Sequence, residues 1–416
     1  MEKILDLHIH SRYSRACSRD LTLAGIEKAS RAKGIDIIAT GDFTHPAWFR
    51  SIRNELTEAG AGLYALKTAA DDRVKFILST EVALIYKDGD RTRRIHLVIH
   101  APDLAAAAKL NELLGRHYNI KSDGRPILGI KAPELVRLCL SVHPRFLIYP
   151  AHIWTPWFSV FGSKSGFNLL EECFKEETPN IFAYETGLSS DPEMNWRWSA
   201  LDKLVLLSNS DAHSPANIAR EANVFDLESE SYPEIYEAIR RRDLKKIKYS
   251  IEFYPEEGMY HFDGHRACGV SFAPGETKKK KGLCPICRKP LIIGVLSRVE
   301  ELADRPTGFR PADAPGFVKL VELDKIIADA VGVKSRQARR VRAEYDQLIA
   351  VLGGELEILI KTPLEQIRDV SPAAAEGVRR VREGRLEISP GFDGQYGRIK
   401  IFQEEEKSKN KQAKLF

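Results

Sequence analysis

MEKILDLHIHSRYS (residues 1–14) decides how the rest of the chain is read. It places two histidines one residue apart at the end of an apolar run. In a strand, residues two apart share a face, so Asp6, His8 and His10 project from one side, and His8 and His10 can bind the same metal ion. An isolated HxH is weak evidence, because histidines also sit in cores as hydrogen-bonded polar groups.

The same ending recurs along the chain. Apolar runs suited to strands are ILDLHIH (4–10), IDIIATG (35–41), FILSTEVALI (76–85), IHLVIH (95–100), FLIYPAH (146–152), IFAYETG (181–187) and LVLLSNSD (204–211). Amphipathic stretches separate them. One is TLAGIEKASRAKG (22–34), apolar on one face, with Gly34 as a helix stop. Strands interleaved with helices predict an α/β barrel or a related parallel sheet. At the strand ends stand Asp42 with His45, Glu81, His100, His152, Glu185, and Asp211 with His213. In a barrel of parallel strands those carboxyl ends converge on one rim, where such folds place their active sites. His96 lies inside its apolar run and is read as a core residue; His117 and His143 follow helical stretches and are read likewise.

Imidazole and carboxylate without thiolate suit Zn²⁺, Mn²⁺ or Fe²⁺ at the rim, with Mg²⁺ as a further candidate. The ligand candidates exceed what one ion accepts, so two or three ions are expected. Clustered cations of this kind favour phosphoester hydrolysis. His8, His10, Glu81 and Asp211 are the expected catalytic centre.

The chain has 416 residues, 43% hydrophobic and 29% charged, which predicts two or three domains. No apolar stretch reaches the roughly 18 residues of a membrane span, and the N-terminus opens on a strand pattern, so the chain is read as cytoplasmic. Six cysteines then argue against a disulfide framework. The net charge is +5, concentrated after about residue 235 in IRRRDLKKIKY, TKKKKG, SRQARRVR and GVRRVREGR, which suggests an anionic partner for that half.

GHRACGVSFAPGETKKKKGLCPICRKPL (264–291) carries a second metal motif. Cys284 and Cys287 form a CxxC knuckle, and His265 with Cys268 form an HxxC partner, together the ligands of a structural zinc. His261 is the reserve fourth ligand. We expect residues 1–253 to form the barrel, 254–303 a zinc-ribbon-like domain, 304–402 a mostly helical basic domain, and 403–416 a disordered tail.

DLHIHSRYS, Asp42, Glu81, His100, His152 and SDAHS together resemble the polymerase and histidinol phosphatase (PHP) superfamily, whose fold is a distorted seven-stranded barrel. The resemblance implies one metal on His8, His10, Glu81 and Asp211, a second sharing Glu81 with His100 and His152, and a third on His213 with Asp42. ATGDFTH (39–45) places Asp42 where a histidine is usual, leaving Asp42, His45 or both as the ligand. Cys17 is the candidate from the loop after HxH. The zinc segment, YHFDGHRACG and GVLSRVEELADRP narrow the likeness, which is then similar to the endonuclease Q family of DNA repair enzymes over Met1 to about Phe402. That resemblance implies cleavage 5′ to deoxyuridine, deoxyinosine, deoxyxanthosine or abasic sites.

A base under inspection leaves the stack and needs apolar and hydrogen-bonding surfaces. HIWTPWFSVFG and GLSSDPEMNWRW offer Trp154, Trp157, Asn195 and Trp196 beside the rim, with Phe158, Phe161 and Trp198 as further aromatics. Arg336, Arg339 and Arg340 are candidate phosphate contacts. The terminal QAKLF has the glutamine and leucine spacing that begins a sliding-clamp-binding peptide. A small-molecule phosphatase would share the rim chemistry, but has no need of the zinc segment and basic helices.

Overall fold

The strand that opens the chain, Glu2–Asp6, lies in the middle of an eight-stranded sheet, parallel to Ile37–Ala39 and antiparallel to Ala222–Asp226. Leu5, Leu7 and Ile9 are fully buried on its outer face, so Asp6, His8 and His10 necessarily face inward. In this computed structural model, which describes residues 1–403, the sheet runs Gly316–Lys319, Ile247–Glu252, Ala222–Asp226, Glu2–Asp6, Ile37–Ala39, Lys75–Ile77, Leu63–Leu66, Leu56–Glu58. The QAKLF peptide and nearly all of the expected tail lie outside the described residues.

The expected seven-stranded barrel is not a continuous hydrogen-bonded ring. The remaining strands of residues 1–253 form a four-stranded sheet (Ile127–Leu128, Ser79–Asp88, Arg91–His100, Leu147–Pro150) and a pair (Ala183–Glu185, Val205–Leu207). Leu78 alone separates Lys75–Ile77 from Ser79–Asp88, and a parallel bridge from Ile9 to Ala212 links the pair back to the first strand. The strands are also not all parallel. Ser79–Asp88 and Arg91–His100 form an antiparallel hairpin closed by Gly89 and Asp90, with Asp88 opposite Arg91. Gly89 takes φ +59°, the left-handed conformation a two-residue hairpin loop requires.

The helix Leu23–Lys33 is capped as its sequence suggests: Thr22 accepts from the Gly25 N–H at 3.0 Å, and Gly34 ends it at φ +87°. Gly34 also receives the C-terminal unit. A Cβ on Gly354 would lie 2.8 Å from the Gly34 Cα, so only glycine permits that approach. Beside it Lys33 pairs with Glu355 at 2.7 Å, buried, and the Tyr345 hydroxyl donates to the same carboxylate at 2.7 Å.

Helices Leu323–Ala330, Arg339–Leu352, Glu355–Ile360, Leu364–Val370 and Pro372–Arg382 make up this unit, followed by the hairpin Glu387–Ser389 and Arg398–Lys400. Backbone pairing crosses the expected boundaries at 253 and 303: Gly316–Lys319 runs parallel to Ile247–Glu252, and Phe262 bridges Phe392.

Arg336, expected to contact phosphate, belongs to this packing instead. Its guanidinium donates to Asp324 at 2.9 Å and to Glu322 at 3.3 Å, and both acceptors are buried. Arg339 and Arg340 are exposed. Burial would raise the Glu322 carboxyl, but Lys325 at 2.9 Å and Arg336 outweigh it and hold its pKa down to about 2. A depressed carboxyl pKa stabilises the fold above its ordinary value and loses that contribution as pH falls through the folded one. We therefore expect Glu322→Gln to cost about 3 kcal/mol near neutral pH. In chemical denaturation the gap to wild type should be full above pH 4.5 and close as pH approaches about 2; a gap unchanged with pH contradicts the assignment.

Candidate metal centre

Where the strands end, the backbone turns sharply. Asp42, His152 and Asp211 take φ of +49°, +29° and +45°, a region non-glycine residues rarely adopt. Each turn directs its residue toward the inward face carrying His8 and His10. His8 Nδ1 meets Glu185 Oε2 at 2.9 Å, and His10 Nδ1 meets Asp42 Oδ1 at 3.1 Å. Each carboxylate is itself held. Glu185 accepts from Asn209 at 3.0 Å and from the His152 N–H at 3.2 Å; Asp42 accepts from Ser11 N–H and Oγ at 2.7 Å and Ser14 Oγ at 2.8 Å. A carboxylate on Nδ1 fixes the ring so that Nε2 carries the free lone pair, as in metal-ligating histidines.

Those Nε2 atoms converge. His8, His10 and Asp211 each offer an atom within 4.8 Å of the others, and Glu81, His96 and His152 form a second such group. His8 Nε2, His10 Nε2 and Asp211 Oδ1 are buried without a hydrogen-bond partner among the described residues, although His10 Nε2 lies 3.1 Å from Asp211 Oδ1. Buried polar atoms without partners are rare and call for an ion or water. Glu81 joins the groups: Oε2 lies 3.2 Å from His10 Nε2, while Oε1 lies 2.7 Å from His96 Nδ1 and 3.2 Å from His152 Nε2. Burial opposes ionisation of Glu81 and Asp211, yet the surrounding histidines, with Arg125 for Glu81, hold both well below the carboxylate range. Burial likewise disfavours charge on His8 and His10, but Glu185 and Asp42 reverse this and raise both pKa values. Donor set and electrostatics fit divalent cations.

His96, read from sequence as a core residue, occupies the position expected of His100. The expectation assumed parallel strands, whose carboxyl ends share a rim. In the antiparallel hairpin Glu81 pairs with Val98, so His96 and His100 share its face on either side. Leu97 pairs with Pro150 and His100 with Leu147, which puts His96 at the end where the chain turns to His152 and His100 at the opposite end. Burial lowers the His96 pKa to about 4, leaving a neutral imidazole fit to ligate. His100 is buried against the Tyr149 hydroxyl at 3.1 Å. The signal was legible in Gly89-Asp90, a two-residue hairpin loop sequence between two strand-like runs.

Other candidates fall outside the two groups. His45 turns outward, with Nε2 3.2 Å from the Lys121 carbonyl and its ring stacked on Tyr13 at 4.4 Å. Asp42 orients His10 through oxygens already engaged. His213 lies beside His10, ring centroids 4.6 Å apart, with Nδ1 2.8 Å from the Asp211 carbonyl. Cys17 is half-buried, and burial pushes its thiol up to about 12. Asp6 accepts from the Ser210 and Ala219 N–H groups, both at 3.1 Å, and braces the loop behind Asp211.

The aromatic candidates divide. Trp154 and Asn195 are buried and joined to each other, Nε1 to Oδ1 at 2.7 Å, with Phe161 and Trp198 packed around the indole. They brace the loops and cannot read a base. Trp196 packs on Phe317 at 5.7 Å under Arg310. Trp157 is half-buried against Tyr260, and Phe158 lies 4.7 Å from the His96 ring.

His265, Cys268, Cys284 and Cys287 come together within the same 4.8 Å limit. The hairpin Asp263–His265 and Val270–Phe272 presents the first two, and the Cys284–Cys287 turn the others. Val270, Cys284 and Leu291 are the buried core of this segment, too few to hold it without a cross-link or metal. His261 is buried, 3.4 Å from the Ser189 carbonyl, and is not a member.

We expect His96→Ala to lower the metal bound per chain, measured by elemental analysis, and His100→Phe to leave it unchanged; the reverse would restore the parallel-strand expectation. We also expect Cys284→Ser to release one zinc and make residues 254–303 sensitive to limited proteolysis; unchanged resistance argues against a zinc-held segment.

Similarity to known proteins extends over nearly all of this framework. The lesion-specific endonuclease PfuEndoQ from Pyrococcus furiosus superposes with a TM-score of 0.85 at 31% identity, covering 97% of this chain and 96% of that one. An endonuclease Q structure in complex with a 27-mer duplex bearing an abasic lesion at the active site matches at 0.85 and 30% identity, covering 97% and 98%. The YqxK protein of Bacillus subtilis is 30% identical over 420 residues, 96% of this chain and 100% of that protein. MJ0043 of Methanocaldococcus jannaschii is 32% identical over 253 residues, 59% of this chain, and the match spans 31% of that protein's length. Residues 322–385 match the model of the MJ0043 C-terminal domain. With fold and length shared from the first strand to the C-terminal hairpin, the chain belongs to the endonuclease Q family.

Proposed function

We propose that the protein is a metal-dependent endonuclease that hydrolyses DNA on the 5′ side of damaged nucleotides: deoxyuridine, deoxyinosine, deoxyxanthosine and abasic sites. The observation that carries this reading is the convergence of unpartnered buried Nε2 and carboxylate atoms on a shared Glu81. Divalent cations held by His8, His10 and Asp211, and by His96 and His152 with Glu81, would polarise a phosphoryl oxygen and lower the pKa of an attacking water. Glu185 and Asp42 hold the two N-terminal histidines in one tautomer. Phe158 supplies an apolar wall beside His96, and the exposed Arg339 and Arg340 offer phosphate contacts away from the cluster. Family membership supports a lesion as the feature recognised. The reading assigns residues 1–253 to catalysis, 254–303 to a zinc-held segment and 304–402 to DNA contacts.

The test is a nicking assay with Mg²⁺, Mn²⁺ or Zn²⁺ on matched duplexes carrying deoxyuridine, deoxyinosine, an abasic site or no lesion. We expect one cut immediately 5′ to the lesion. Asp211→Asn should slow it by about 10³ or more while duplex affinity changes little. No cut on any duplex, with phosphate released from small phosphoesters, would move the function to a phosphatase.

A further inference from the structure

The cluster contains one guanidinium that no sequence motif marked. Arg125 lies in KSDGRPILG (121–129), and its Nη1 donates to Glu81 Oε2 at 3.0 Å. This is the single hydrogen bond its side chain makes among the described residues. The side chain is 24% exposed, whereas Glu81 beneath it is wholly covered. Arg125 thus caps the shared carboxylate on the solvent side, with most of its five donors free.

The backbone that carries it is fixed on both sides. The Gly124 N–H donates to the Tyr13 carbonyl at 3.0 Å, and the Ala83 N–H to the Pro126 carbonyl at 3.0 Å. Asp123 Oδ1 accepts from the Arg15 N–H at 3.3 Å and the Arg125 N–H at 3.0 Å. A Cβ at position 124 would come within 2.3 Å of Asp42 Oδ2 and 2.4 Å of Ser14 Oγ, so glycine is required for the loop to lie this close. A surface ion pair has no need of such a mounting.

We propose that Arg125 is the phosphate-binding residue of the active site, donating to a non-bridging oxygen of the scissile phosphodiester and to the charge that develops there. The assignment rests on the phosphodiesterase reading above. Glu81 belongs to one ligand group and its Oε2 lies 3.2 Å from His10 Nε2 of the other, so a phosphate engaging both groups lies within reach of the guanidinium over it. In hydrolysis a water oxygen bonds to phosphorus and the bond to the leaving sugar oxygen breaks. One water proton goes to that oxygen and the other to solvent. Arg125 exchanges no proton. Its planar fork matches a phosphate edge, which a lysine ammonium does not.

The experiment measures single-turnover cleavage of a deoxyuridine duplex by wild type, Arg125→Ala and Arg125→Lys, with metal content and duplex affinity determined for each. Arg125→Ala should cleave about 10²–10³ times more slowly. It should keep its metal, hold affinity within about threefold, and be partly rescued by added guanidinium, with Arg125→Lys recovering little. Placing single phosphorothioate diastereomers at the scissile position adds a readout that a structural role would not move: wild type should discriminate between them and Arg125→Ala should lose that discrimination. Cleavage at the wild-type rate, metal loss matching the activity loss, or unchanged discrimination overturns the proposal. If wild type cuts no duplex, the endonuclease reading fails by itself. The same variants on bis(4-nitrophenyl) phosphate then decide Arg125, a comparable loss upholding it and an unchanged rate overturning it.

Discussion

Four carboxylates and four imidazoles meet at the inner face of the sheets: Asp42, Glu81, Glu185 and Asp211 with His8, His10, His96 and His152. Such crowding in a dry interior is expensive unless each group finds an opposite charge. Half of the solution is built from the chain itself. Glu185 and Asp42 bond the Nδ1 atoms, and serine hydroxyls, the Asn209 amide and the backbone N–H groups of Ser11 and His152 donate to their remaining lone pairs. The other half faces one spot, where His8 Nε2, His10 Nε2 and Asp211 Oδ1 have no hydrogen-bond partner among the described residues. Protons or cations complete it, and cations do so without mutual repulsion between charged rings.

Much of the surrounding fold follows from that requirement. Side chains must arrive from Leu7–His10, the 41–42 turn, the Ser79–His100 hairpin, and the turns at 152 and 211. A smooth barrel with every strand parallel would bring His100, and not His96, to the shared rim. The structure interrupts its ring, admits a hairpin, and holds Asp42, His152 and Asp211 in a left-handed backbone conformation. Strain at three site residues is tolerated because packing on either side leaves them no alternative. Trp154 and Asn195 belong to this bracing.

The distal half is organised by a second buried charge network. Lys33, Glu322, Asp324, Lys325, Arg336 and Glu355 tie the helical unit to the first helix of the N-terminal half. Of the basic residues singled out there, Arg336 is consumed by this docking, while Arg339 and Arg340 remain exposed on the neighbouring helix. A basic run can thus be both an interface and a candidate DNA surface, divided residue by residue.

By itself the sequence determined which residue types stand at which strand ends, because a period of two and a run of apolar residues are local properties. His8 and His10 on one face, Glu81 after an apolar run, Asp211 and His152 at strand ends, and the HxxC and CxxC pairs could all be read in this way. Tertiary structure decided which end of the Ser79–His100 hairpin meets the cluster, and with it the choice of His96 over His100. It also separated the carboxylates that orient from those facing the gap, since His8 and Glu185 are 177 residues apart. It buried Trp154 and Asn195 together, and it carried Arg125 over Glu81 on a glycine loop. Spacing reports only the faces of a segment, whereas these outcomes depend on which distant segment supplies the partner.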